Sequence, residues 1–282
     1  MIKALIVIIF NITIVLSQDN LLTLLDEKDL DESYPVQGTF KATRIVNAQS
    51  IELPRKGTLE FIMFHRFGSM ANGFYDLYGL DNAAIRFDLN LGLNNYFSFG
   101  FGRSSLKKTY DVYTKIKFLS QRTGSPTPPF SSAFFFKTEI MTSDKNEVFS
   151  NRLIYDLQLL IARKINSKLS LQLIPTIIHK NLIQKDETSN TLYSMGVGGR
   201  IKITNRFSIN GDTFFPLGKR NKENFRQSWG VGCDIETGGH VFQLLLTNVQ
   251  GSNESAYIED ANGTLKNMNI YFGFNITRSF TL

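Results

Sequence analysis

Hydrophobic and polar positions alternate along most of this chain, most cleanly near its end. From Met268 to Leu282 the even positions hold Met268, Ile270, Phe272, Phe274, Ile276, Phe280 and Leu282, broken only by Arg278. The odd positions hold Asn269, Tyr271, Gly273, Asn275, Thr277, Ser279 and Thr281. Successive side chains on a strand point to opposite faces, so this segment has one apolar face and one polar, mostly small face. The grammar recurs upstream: Ile85, Phe87, Leu89, Leu91 and Leu93 alternate with Ala84, Arg86, Asp88, Asn90 and Gly92. Phe97, Phe99 and Phe101 likewise alternate with Ser98, Gly100 and Gly102. Followed throughout, the pattern predicts twelve strands near 58–68, 83–93, 96–104, 110–119, 132–142, 152–164, 168–179, 191–203, 206–216, 227–237, 240–248 and 268–281.

The connections alternate too. Tight turns at Asn94-Asn95, Asn166-Ser167, Thr204-Asn205 and Gly238-Gly239 are separated by long links near 69–82, 143–151, 181–190, 217–226 and 249–265. Short periplasmic turns and longer external loops are the mark of an antiparallel up-and-down transmembrane β-barrel. An even strand count puts both chain ends on the periplasmic side. The link 120–131, with Pro126, Pro128 and Pro129, is long where a short one is expected, and residues 38–46 could add a strand.

The start of the chain points to export. Lys3 precedes an apolar run, Ala4 to Leu16, with Val15 and Ser17 placed for cleavage before Gln18. The run is shorter than the roughly 20 residues that span a bilayer, so 1–17 reads as a cleaved signal peptide. No Cys follows it, which argues against a lipoprotein anchor. Residues 18–57 read as an acidic tail and pre-barrel segment, in the periplasm or the lumen, and 58–282 as the barrel. Within 18–35, six acids face the single base Lys28.

Parity assigns the two faces. Tyr110, Tyr155, Tyr193 and Trp229 fall on the apolar parity near the starts of strands that follow external loops, which predicts an aromatic girdle in the outer leaflet. Arg278, at outward parity near the periplasmic edge, can snorkel to the interface. The lumen-lining candidates are Arg86, Lys115, Lys117, Lys137, Arg200 and Lys202, against Asp88, Asp111, Glu139, Asp156, Asp212, Asp234 and Glu236. Their near balance predicts cross-strand ion pairs rather than a selectivity filter. Gly92, Gly100, Gly102, Gly196, Gly198, Gly230, Gly232 and Gly273 also face inward, consistent with wall curvature or with room for a plug or ligand.

Composition sharpens this picture. The chain has 24 Phe and 10 Tyr against one Trp, and its net charge of +6 is scattered without a basic run, so no nucleic-acid partner is expected. Cys233 stands alone on an apolar face and can form no internal disulfide. His65, His179 and His240 are too dispersed for a metal centre, and no cofactor motif is present. A barrel phospholipase would need Ser and His together on the lipid face. His65 has that parity but Ser194 and Ser228 face the lumen, so no catalytic residues are assigned and an enzyme is not expected.

Four short stretches carry a resemblance: Thr39-Phe40-Lys41-Ala42-Thr43-Arg44-Ile45-Val46-Asn47, His65-Arg66-Phe67-Gly68, Gly79-Leu80-Asp81 and Gly102-Arg103-Ser104. With them the chain, from about 38 onward, resembles an uncharacterised outer-membrane β-barrel family, a domain of unknown function common in Bacteroidota. The resemblance implies an outer-membrane barrel and transfers no catalytic residue. The second and third stretches flank the first external loop and are expected to stabilise it, with Arg66 and Asp81 as a candidate pair. The functional expectation is a pore or channel for small solutes in the outer membrane of a Gram-negative bacterium. The alternatives are a closed scaffold or accessory subunit of an envelope complex and, remotely, a lipid-active enzyme. The implied partners are outer-membrane lipid, the barrel-assembly machinery acting through the C-terminal strand, and an envelope protein.

Overall fold

The computed structural model describes residues 33–124, 127–143, 146–182, 189–218 and 226–282. The signal-peptide and acidic-tail readings at 1–32 lie outside these residues. Twelve strands follow the alternation: β1 Thr58–Ser69, β2 Ala83–Gly92, β3 Phe97–Ser104, β4 Thr109–Leu119, β5 Ser131–Met141 and β6 Leu153–Lys164. They continue as β7 Leu169–Lys180, β8 Thr191–Lys202, β9 Phe207–Leu217, β10 Ser228–Thr237, β11 His240–Thr247 and β12 Tyr271–Thr281. Each strand pairs antiparallel with its sequence neighbours, and β12 returns to β1, with Thr58 opposite Thr281 and His65 opposite Phe274. The result is a closed, twelve-stranded up-and-down barrel with no unpaired edge.

The expected strand ends hold to within a few residues, with the largest difference at the start of β12. Met268 takes a left-handed backbone (φ 52°) after the short turn Leu265–Asn267, so Met268–Ile270 stand outside the strand despite their alternation. In β7, Pro175 cannot donate to the ladder, and the β6 pairing jumps from Gln158↔Thr176 to Ile161↔Leu173. The outer face is a belt of exposed apolar side chains, among them Leu89, Phe101, Val112, Phe136, Leu173, Val231 and Leu244. Such a continuous apolar band would be an aggregation surface in water and is the surface lipid covers in a bilayer.

The unusual 120–130 connection has a packing reason. Val36 donates its N–H to Gln121 O (2.8 Å), Pro35 bridges Arg122, and the Arg122 Nε donates to Ser33 Oγ (2.8 Å). The long link therefore clamps the chain where it passes into the barrel at the short-turn end. Residues 38–46 add no strand; among the described residues of this segment there is only an isolated bridge, Arg44↔Gln49.

At the first long loop, Gly68 donates its N–H to Asn82 O (2.9 Å). Gly79 (φ 89°) packs so tightly that a Cβ there would lie 2.3 Å from Gly68 O. The two flanking stretches thus meet through their glycines. Arg66 and Asp81 do not pair: Arg66 has inward parity and is fully buried in the lumen, while Asp81 is exposed on the loop.

Candidate functional site: the filled lumen

Two irregular segments occupy the barrel interior. The first, residues 39–51, is buried apart from a half-exposed Lys41. The second is the link between β11 and β12, where residues 249–261 are largely buried and include the short helix Glu254–Glu259. An irregular backbone at membrane depth has peptide groups that no ladder satisfies, so side chains must do it. The inward parity supplies them from all around the wall. Asp212 Oδ2 on β9 accepts the N–H groups of Val46 (3.0 Å), Asn47 (2.8 Å) and Ala48 (2.8 Å). Gln172 on β7 donates to Gln49 O (2.7 Å), and Gln243 on β11 to Ile45 O (3.0 Å). Lys115 on β4 donates to Ser50 O (2.8 Å) and Glu52 O (3.0 Å).

A charge network joins the two inserts to one side of the wall. Arg44 Nη1 donates to Glu254 Oε1 (2.6 Å), and Gln49 Nε2 donates to the same oxygen (2.9 Å). Glu254 is also paired with Lys137 on β5. Lys137 lies 3.4 Å from Asp111 and 3.3 Å from Glu139, and Glu139 in turn accepts from Asn253 Nδ2 (2.7 Å). Arg86 on β2 pairs with Asp88 (3.0 Å) and with Asp111 on β4. Three guanidiniums, those of Arg44, Arg66 and Arg86, stand 5.3, 5.9 and 5.8 Å from the centre of the Phe64 ring, whose face attracts cations. Burial disfavours the Glu254 carboxylate, but Arg44 and Lys137 outweigh it and hold the group well below the usual carboxylate range. Burial likewise opposes the Arg44 charge, yet Glu254 and Asp88 keep its guanidinium above its ordinary range.

The glycines explain how these side chains reach one another. A Cβ at Gly102 on β3 would lie 2.1 Å from Arg86 Nη2, so the bare backbone lets Arg86 cross β3 to reach Asp111. Gly100 does the same for Tyr113, whose ring passes over it to donate from its hydroxyl to Asp88 Oδ1 (2.6 Å). Other inward glycines are pressed by the first insert. A Cβ at Gly198 would sit 2.5 Å from Ile45 Cδ1, and one at Gly230 would sit 2.7 Å from Asn47 Nδ2.

Of the thirteen inward candidates, Arg86, Asp88, Asp111, Lys115, Lys137, Glu139, Asp156, Arg200, Asp212 and Asp234 are buried. Lys117, Lys202 and Glu236 are half-buried toward the short-turn rim. Arg86 and Lys137 both pair with Asp111 across strands, whereas Lys115 and Asp212 hold the insert backbone. The sequence reading omitted Arg44 and Glu254, because neither lies on a strand and parity has no meaning for them. Tyr110, Tyr155 and Tyr193 are exposed on the outer wall and Trp229 is half-buried; each is the second or third residue of its strand, at the long-loop end. Arg278 is exposed and lies over the Phe280 ring at 4.9 Å.

A family model described as a membrane bound beta barrel domain (DUF5777) matches residues 40–280. The chain belongs to this family. The matched span of this DUF5777 barrel begins within the first insert and ends in β12, so it takes in the filling as well as the wall. Its fold is similar to that of the NanC porin, with 11% identity over 79% of this chain and 100% of that one and a TM-score of 0.51. An outer membrane channel from Pseudomonas putida F1 aligns with 13% identity over 86% of this chain and 100% of that one, with a TM-score of 0.49. At 11% identity the likeness to the NanC porin is one of fold alone. No curated protein matches the sequence significantly.

Proposed function

We propose that this protein is an outer-membrane channel for small solutes that rests closed, its lumen shut by the two inserts. One observation carries the reading: the first insert is attached through wall side chains such as Asp212, Gln172, Gln243 and Lys115, and adds no strand to the barrel. It can therefore withdraw while all twelve strands stay paired. Such bonds contribute about 1 kcal/mol net each, and about 1.5–3 kcal/mol where Asp212 or Lys115 takes part, a scale on which a stimulus can act. Twelve strands also exceed the roughly eight whose inward side chains fill a barrel by themselves, so withdrawal leaves space for solute.

Location in the outer membrane of a Gram-negative bacterium, with both termini in the periplasm, is supported by the short-turn and long-loop asymmetry, the signal-like start and the Tyr/Trp positions at the long-loop end. The closing position of β12 supports insertion by the barrel-assembly machinery. No catalytic role is proposed: His65 stacks on Phe274 (4.9 Å) while Ser194 and Ser228 are buried inside.

Planar-bilayer recording tests the channel reading. Wild type should open rarely, and Asp212→Ala, which leaves three insert N–H groups without their acceptor, should conduct steadily. Silence of both proteins, with heat-modifiable electrophoresis showing folded barrels, would overturn it. That outcome would favour the closed scaffold or accessory subunit. An apolar cluster supports this second reading, because Phe40, Ile45, Ile51, Tyr257 and Ile258 pack against inward Phe135, Ile174 and Phe214 much as a core does.

A further inference from the structure

At the short-turn mouth, cations from the wall, a turn and the first insert outnumber the acids around them. A cavity of about 170 Å³ is lined by Lys41, Lys164, Lys168, Arg200 and Lys202, together with Gly38, Ser167 and Ser170. No carboxylate lines it. The surrounding acids do not line it: Glu236 pairs with Lys41, Asp234 accepts from Gln243 (2.8 Å) and Ser208 (3.1 Å), and Glu52 accepts the Phe40 N–H (3.1 Å), so among the described residues Lys164, Lys168, Arg200 and Lys202 form no salt bridge. Three of the cations also hold backbone. Lys164 donates to Gln37 O (2.8 Å), Lys41 to Asn205 O (2.8 Å), and Arg200 to Gly38 O (3.1 Å) and Thr39 O (3.2 Å). Arg200 is 5% exposed, and its buried Nε has no hydrogen-bond partner. Among the described residues, Lys168 and Lys202 form no side-chain hydrogen bond or ion pair.

Like charges held this close repel, and a buried guanidinium N–H without an acceptor carries a desolvation cost, so a bound counter-anion would relieve both. We infer that this mouth is a binding site for a phosphate-class anion, with Lys168, Lys202 and the Arg200 Nε as its unused donors. A tetrahedral oxyanion suits the setting, because it offers acceptors in several directions to ammonium, guanidinium and the Ser167 and Ser170 hydroxyls at once. The volume admits a phosphoryl group with room to spare. The inward parity of Arg200, Lys202 and Ser170 puts the site inside the wall, and it exists whether or not the lumen opens.

The test is isothermal titration of the full chain in neutral detergent with inorganic phosphate, at physiological ionic strength set by sodium chloride. One saturable site is expected. Lys168→Gln/Lys202→Gln removes cations that hold nothing in the fold and should weaken it at least about tenfold, while Lys107→Gln at the opposite end leaves it unchanged. In a second arm, phosphatidylglycerol is doped into the micelles. Competition with phosphate identifies a lipid headgroup as the source of the phosphoryl group, and absence of competition identifies a soluble anion; both support the site. No saturable phosphate binding, or equal binding by the double variant, overturns it.

Discussion

Glu254 ties the two inserts to the wall, since it accepts from Arg44 and Gln49 of the first insert and pairs with Lys137 of the wall. Removing its charge leaves two buried cations short of an anion, and breaking a buried pair this way costs about 3–5 kcal/mol. Glu254→Gln should therefore lower the thermal midpoint at neutral pH, as read by circular dichroism in detergent. The pH dependence follows from the downward shift of the carboxyl from its ordinary 4.5. A depressed folded-state value means the stabilisation is fully present above about pH 4.5 and is lost as pH falls through the lower folded-state value. The gap between wild type and Glu254→Gln should thus stay constant across neutral and mildly acidic pH and narrow only in strong acid. Equal midpoints at pH 7 would remove Glu254 from this role. Nothing in the local sequence around Glu254 marks it, because its partners lie more than a hundred residues away.

Strands are where local sequence says most. On β7 the outward Leu171, Leu173 and Ile177 are exposed and the inward Ser170, Gln172 and Thr176 are buried, a period of two that is visible before any folding. If lipid covers the outer face, the cost of a charge there depends on depth. Leu173→Arg, near the middle of β7, should cost about 2–4 kcal/mol, and Ile203→Arg, beyond the end of β8 at the short-turn rim, about 0–1 kcal/mol. Reversible folding into short-chain lipid vesicles measures both, and equal penalties would argue against a bilayer band at this position. The same periodicity misplaced the start of β12, since an alternation of side chains does not report the left-handed turn at Met268.

For the whole molecule, the decisive feature is that wall and filling come from one chain and meet only in its tertiary structure. A crosslink between them tests whether they separate in function. A Cβ at Gly230 would lie 2.9 Å from Val46 Cγ1 and 2.7 Å from Asn47 Nδ2, so Val46→Cys and Gly230→Cys fall within disulfide reach once the Asn47 side chain shifts aside. Introduced with Cys233→Ser into the conducting Asp212→Ala protein, the oxidised pair should silence conductance and reductant should restore it. Undiminished current from protein shown by gel shift to be crosslinked would mean solute passes elsewhere. The order of strands, the closing partner of β12 and the inward parity of the charged residues were all legible in the sequence, because a period of two is a local property that closure does not change. What fills the lumen was not. The polar face of a strand reads the same whether it meets water, an ion pair or the backbone of an insert, and only the closed barrel brings Asp212 to residues 46–48 and Glu254 to Arg44.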